Sequence, residues 1–364
     1  MLHLRDSAHG DSARHQSWGA PTQWRRAADL DLSGGALRAD DAHGDWKLGS
    51  GRCSVGKRQK GIDIFTVGGD TATVLTQAKL TFDYCKSLGA NAVSLNFPFA
   101  VSGLKANDPH AIPGVTPSPD LLAQMVPLAA ADGLSVQLRP LLDESDLVGG
   151  WRGTLAPTDP TTWFANYWSF LEPYLAMAKS SSVGSVYISS ELDTMVANYQ
   201  KKWLKLVADA RNVYSGPIYS ATSHQAFLPA TAVTEAYDDY DPAFVKDTAS
   251  IATLTTWLKK DLAADKIPGS ASSLVLSEVG IAAASSAYLW PYQFNLKPPV
   301  IRSIQSNWFT AMCNTMVDDH LGGIYFWVLF MSTFSPTEKD TSLTTGWVGT
   351  GGGAAIKACF ARAS

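Results

Sequence analysis

Two glutamates stand out because each closes a short apolar run of the kind that forms a buried parallel strand. Glu278 ends Leu274-Val-Leu-Ser-Glu and is followed by Val279 and Gly280, and Glu191 ends Val186-Tyr-Ile-Ser-Ser-Glu. A brief aliphatic run with little polar alternation, closed by a turn residue, reads as such a strand. Carboxyls at the C-terminal ends of strands in an α/β protein open onto the face where sites are built. A pair of them suits the cleavage of a glycosidic bond. One protonates the leaving oxygen, while the other attacks the anomeric carbon or activates water. The two lie 87 positions apart, so only the tertiary fold can bring them together.

Other residues could complete such a site. Trp327 ends a late apolar run and could form a floor under the reacting sugar, or could serve core packing. Trp151 and Arg152 sit in a long loop, where they either line the site or pack on its rim. Asn96 closes an early strand and could bond a hydroxyl. His224 could bind substrate or be a satisfied structural histidine. The acidic group Asp238, Asp239 and Asp241 matches no calcium-loop spacing and reads as a solvated turn.

Several chemistries are excluded. The histidines show no H-x-x-x-H or H-E-x-x-H pattern, so no catalytic metal is expected. No G-x-S-x-G element is present for a serine hydrolase. Gly51 to Lys57 has phosphate-loop spacing, but Arg58 follows where Ser or Thr is required, and no strand precedes it. No dinucleotide fingerprint follows the first strand, and no cofactor is expected. A net charge of −4 and a pI near 6.0 offer no field for nucleic acid. No run approaches the ~20 apolar residues of a membrane span. Charged residues are sparse at 17%, whereas Trp and Tyr number 12 each, a balance that suits stacking on sugar faces or a large aromatic core. The expected partner is a carbohydrate, and the expected state a monomer. Cys53, Cys85, Cys313 and Cys359 show no C-x-x-C spacing; bridges among them could form but cannot be paired from sequence, and buried free thiols are the preferred reading. The opening 45 residues lack the apolar core of a signal peptide, and compartment stays open.

The elements that must position these residues alternate from Gly61 onward. Strands are expected at 62–66, 92–97, 134–142, 186–190, 218–222, 274–277 and 323–330, with a blurred one at 234–240. Helices are expected at 71–88, 119–131, 160–180, 200–214, 250–264, 299–319 and 354–360. Asp159 caps the third helix and Pro160 takes its first position. Some eight such units imply a single (β/α)₈ barrel over 61–364, with residues 1–60 as a partly irregular N-terminal extension. Loops at 98–118, 142–159 and 279–298 are long and fall on the site face.

Read in order, these stretches resemble Glycoside Hydrolase Family 113, the β-mannanases, within the clan of retaining (β/α)₈ glycosidases. The resemblance is carried by Leu138-Arg-Pro140, Trp151-Arg-Gly153, Trp163-Phe-Ala-Asn-Tyr167, Ser189-Ser-Glu191, Leu276-Ser-Glu-Val-Gly280 and Gly322-Gly-Ile-Tyr-Phe-Trp327. It implies an endo-acting retaining enzyme on β-linked glycan, mannan first, with Glu191 as acid/base and Glu278 as nucleophile. Arg139 or a tyrosine hydroxyl would keep the nucleophile ionised. The chain departs from the pattern at Ser190, where most of the clan has Asn, and at Ser223-His224, where the family favours Asn and an aromatic. For the strand-six tyrosine, Tyr237 and Tyr240 are both candidates. The rivals are a catalytically inactive carbohydrate-binding barrel and a clan glucanase, xylanase or transglycosylase.

Overall fold

The computed structural model describes residues 58–147, 150–223, 226–294, 296, 299–337 and 346–363. The expected extension and the Gly51–Lys57 stretch lie outside these, apart from the first residues of the barrel. His224 and Cys53 also lie outside them.

Eight parallel strands close into one barrel in sequence order. They are β1 (Gln59–Phe65), β2 (Ala92–Phe99), β3 (Ser135–Leu142), β4 (Ser185–Ser190), β5 (Ile218–Thr222), β6 (Thr234–Asp238), β7 (Val275–Val279) and β8 (Gly323–Phe330). Around them run α1 (Thr71–Leu88), α2 (Pro119–Ala131), α3 (Pro160–Ser180), the short α4 (Asp193–Asn198), α5 (Gln200–Val213), α6 (Ile251–Ala264), α7 (Arg302–Asp318) and α8 (Gly351–Arg362). This is the expected (β/α)₈ barrel, and the expected bounds of α1, α2 and α3 are met. Asp70, Ser118 and Asp159 accept backbone N–H bonds at their starts, satisfying donors that have no partner within the helix. α4, directly after Glu191, was not legible in the sequence. Among the described residues, no helix is long and apolar enough to cross a membrane.

The barrel interior is layered. At the N-terminal end Gln59 donates to the Tyr219 hydroxyl (3.0 Å) and accepts from Gln137 (2.8 Å) and Tyr325 (2.7 Å), plugging the floor. Above lie Tyr187, Ala221, Ala236 and Val275, buried together. The upper layer is polar, with Asp63, Asn96, Arg139 and Asp238 fully buried. Trp163, Trp203, Trp308 and Trp347 are fully buried as well, so four of the tryptophans serve packing rather than a sugar platform. The expectation of free thiols is corrected for two cysteines. Cys313 on α7 and Cys359 on α8 form a disulfide, and only Cys85, buried, is a free thiol among the described residues. Helices that pack side by side present facing positions, and a 5.7 Å Cα separation is bridgeable. The two sit on separate helices, so no spacing could pair them.

Candidate active site

Both glutamate strands are irregular where the carboxyl emerges. On β7 the pairing with β8 shifts between Leu276 and Val279, and the pairing with β6 shifts at Asp238, which lies opposite Glu278. Such bulges re-aim side chains. Here Ser277 and Glu278, adjacent in sequence, both find partners inside the barrel. On β4 the register to β5 shifts between Tyr187 and Ser189. Glu191 then turns with φ +53°, left-handed backbone that a non-glycine residue seldom adopts, held by its N–H to the Ala221 carbonyl at 2.9 Å. Strain of this kind clusters at functional positions.

Arg139 is the hub of the Glu278 side. Its Nη2 lies 2.5 Å from Asp238 Oδ2 and 2.9 Å from Glu278 Oε1. Nε donates to Ser190 Oγ at 3.0 Å, Nη1 donates to the Ser277 carbonyl at 3.2 Å, and the guanidinium lies over the Tyr187 ring. Asp238 takes a further bond from Ser277 Oγ at 2.7 Å. Tyr240 donates its hydroxyl to Glu278 Oε2 at 2.9 Å, which decides between the two tyrosine candidates, since Tyr237 bonds Asp241 instead. Burial pushes the Glu278 carboxyl well up, Arg139 pulls it down, and Asp238, Glu191 and Asp63 add to the rise. Asp63, also raised by burial, reaches about 7. Its Oδ1 accepts from Asn96 Nδ2 at 2.9 Å, while Oδ2 is buried with no partner.

Arg152 serves the Glu191 side. It opens a short 3-10 turn, Arg152–Thr154, where the Trp151 ring folds so closely over Gly153 that a Cβ there would lie 2.0 Å from a ring carbon. That contact explains the glycine in Trp-Arg-Gly. Arg152 Nε lies 2.9 Å from Glu144 Oε1 and 3.8 Å from Glu191 Oε2. Burial raises Glu191 to about 7, opposed by Arg152 and assisted by Asp238, Asp193 and Glu144. Glu191 and Glu278 share one electrostatic neighbourhood, because Glu191 raises Glu278 and Arg152 feels both.

The remaining expected residues divide. Trp327 packs with Leu141, Phe65 and Phe294, and Gly280 leaves room for both its ring and the Tyr240 hydroxyl. Trp151 is half-buried beside Arg152. Asn96 is fully buried, with its amide donating to Asp63 and the Ser94 carbonyl. It braces the interior and offers no donor to a sugar. Arg139 and Ser190 are likewise buried within the barrel, Arg139 against Glu278 and Ser190 accepting from Arg139. The solvated-turn reading of the acidic group is overturned, since Asp238 is fully buried against Arg139 and Asp239 is 4% exposed. Asp238 and Glu144 were missed as site residues. The signal for Asp238 was Arg139 itself, because a cation on an apolar strand requires an anion near it. Among the described residues, one grouping has metal-like spacing: Asp241 in the turn after β6, Asp261 on α6 and Asp265 just past its end. It includes neither glutamate.

A sequence model of Glycoside Hydrolase Family 113 matches residues 70–342. Among solved structures, the chain is similar to a GH113 β-1,4-mannanase, with 16% identity, TM-score 0.71, and coverage of 84% of this chain and 99% of that one. It is similar to the GH113 β-mannanase AaManA from Alicyclobacillus acidocaldarius, with 20% identity, TM-score 0.70, and coverage of 84% and 98%. The endo-1,4-β-mannanase from Rhizomucor miehei is more distant, with 10% identity, TM-score 0.53, and coverage of 84% and 95%. No curated protein matches the chain in sequence. At these identities the structural likeness speaks for the barrel, and the sequence match over the segment that carries both glutamates speaks for the family. The chain belongs to Glycoside Hydrolase Family 113 and is a glycoside hydrolase.

Proposed function

We propose that this enzyme cleaves β-1,4-mannan internally with retention of configuration, Glu278 acting as nucleophile and Glu191 as acid/base. Mannan is favoured because the similar family structures are described as β-1,4-mannanases. In the first step a Glu278 oxygen bonds to the anomeric carbon as the glycosidic C–O bond breaks, and Glu191 passes its proton to the leaving oxygen. In the second, water gives a proton to Glu191 while its oxygen displaces Glu278 from the same carbon.

The division of labour follows from the donors each carboxyl receives, and that is the observation the proposal rests on. Glu278 has two directed donors, Arg139 and Tyr240, both at 2.9 Å, which favour the anion a nucleophile requires. Glu191 has one cation at 3.8 Å, beyond a hydrogen bond, and burial sets it near 7, where a group can give and take a proton around neutrality. Three carboxyls, Asp63, Asp238 and Glu278, surround Arg139. The proton that this surplus of acid retains belongs on Asp63, which has the fewest donors. Trp327 and Trp151 are assigned to sugar contact, His224 to substrate binding. The enzyme acts as a monomer without cofactor and binds neither nucleic acid nor membrane. The catalytic barrel begins with β1.

The test is Glu278→Ala and Glu191→Ala, made separately. Loss of the nucleophile should lower turnover at least about 10⁴-fold. Azide should rescue Glu278→Ala as an α-glycosyl azide and Glu191→Ala as a β-glycosyl azide on a substrate with an activated leaving group. Full activity in either variant would sink the assignment.

A further inference from the structure

We infer that Glu144 is a positioning residue for this reaction: it holds the Arg152 guanidinium on its own carboxylate and so keeps that cation out of hydrogen-bond reach of Glu191. The inference rests on Glu191 being the acid/base.

One donor, Arg152 Nε, faces two carboxylates and is bonded to only one. The Glu144 contact is 2.9 Å, the Glu191 contact 3.8 Å, and a hydrogen bond is not sustained at the longer distance. Glu144 Oε1 also accepts the Arg152 backbone N–H at 3.1 Å, so the same oxygen fixes both the main chain and the side chain of the arginine. Glu144 is itself held in place. Asp143 N–H, next to it, bonds the Phe99 carbonyl at 2.7 Å, and Leu147 N–H bonds the Glu144 carbonyl at 3.0 Å. The turn that begins at Arg152 packs against α4, the helix directly following Glu191, which brings the cation to the acid/base in any case. What Glu144 decides is which carboxylate receives it.

The chemistry needs this restraint. A direct guanidinium bond would stabilise the Glu191 anion and lower its pKa by about 1–3 units, leaving too little acid for the first step. Without any cation, the group would hold its proton through the second step, when it must accept one from water. The other charged or titratable groups that face Glu191 are Asp193 on α4, Asp238 on β6, Tyr240 after it, and Glu278 on β7. Asp193 is engaged by Thr222 Oγ1 at 2.9 Å and Asp238 by Arg139, whereas Glu144 acts through the cation nearest Glu191.

The experiment is the pH dependence of kcat/KM on a soluble manno-oligosaccharide for wild type and Glu144→Gln. Gln keeps the length and the acceptor oxygen but loses the charge, so Arg152 should move onto Glu191. The expected result is an alkaline limb displaced to lower pH by about one unit, with near-normal activity on the acid side. An unmoved limb, or a loss equal at every pH, would overturn the inference. Glu144→Asp keeps the charge but withdraws it by one methylene. It should move the limb the same way by less, and a limb at or above the wild-type position would overturn the inference independently of how the Gln variant folds. Glu191→Gln separates the two levels. If it retains full activity and the same limb, the acid/base assignment falls. If it abolishes the limb while Glu144→Gln leaves it in place, only the role of Glu144 falls.

Discussion

Arg139 and Arg152 each stand between one reacting glutamate and one supporting carboxylate, yet they are built differently. Arg139, Asp238 and Glu278 come from β3, β6 and β7, and their side chains are 0%, 0% and 7% exposed. Arg152 and Glu144 come from the loop after β3, and Glu144 and Glu191 are 13% and 12% exposed. In the first cluster the guanidinium touches both carboxylates. In the second it touches one and stands off from the other. A group that must stay ionised is gripped by strands in a dry layer. A group that must exchange its proton twice per turnover sits where water reaches and the cation keeps its distance. Rigid placement and tunable charge are different requirements, and the barrel meets the first with strands and the second with a loop.

The largest effect should come from breaking the strand-built cluster. Arg139→Met leaves Asp238 and Glu278 buried without their cation, and removing one partner of a buried pair costs about 3–5 kcal/mol. Urea unfolding at pH 7 measures this, with Arg152→Met beside it. The Arg152 variant should lose less, because its carboxylates can take up water. Equal losses would erase the contrast. Arg139→Met should also lift the acid limb of kcat/KM, since without the guanidinium Glu278 ionises only at higher pH.

How far this contrast could be read in advance differs between the clusters. The barrel was legible because its punctuation is local: Asp159-Pro160 opens α3, Gly89 closes α1 in a left-handed turn, and each apolar run spans one strand. Glu191, Glu278 and Arg139 were legible for the same reason, as polar residues set in apolar strands. Asp238 was not, because it stands in Asp-Asp-Tyr-Asp, a run that reads as solvent-facing until strand pairing with β7 carries its first member inward. Glu144 was hidden more deeply. Loop residues have no period, and its bond to Arg152 depends on where an irregular turn places both groups.

A third buried glutamate shows what happens with no cation at hand. Glu235 on β6 is 3% exposed, and its Oε1 takes the Leu228 N–H at 2.8 Å. Burial raises its pKa to about 8, against which that one bond works. The folded value lies above the unfolded one, so the protonated form favours the fold. The associated stability is complete below about pH 4.5 and is lost as pH rises toward 8. Glu235→Gln keeps the acceptor without the charge. It should therefore be more stable than wild type by up to about 5 kcal/mol at pH 9, with little difference at pH 4. A constant difference across that range would mean that no proton is involved.

The smallest and most discriminating effect concerns Arg152. Arg152 lowers the Glu191 pKa from a distance, against burial and the surrounding acids. Removing it in Arg152→Met should carry the alkaline limb of kcat/KM upward by about one unit, opposite in sign to the displacement expected of Glu144→Gln. The double variant should also move upward, by slightly less than Arg152→Met, since no cation is left to hold and the charge by which Glu144 raises Glu191 is gone. If the two single variants shifted the limb in the same direction, Glu144 would be acting on Glu191 by some route other than the arginine between them.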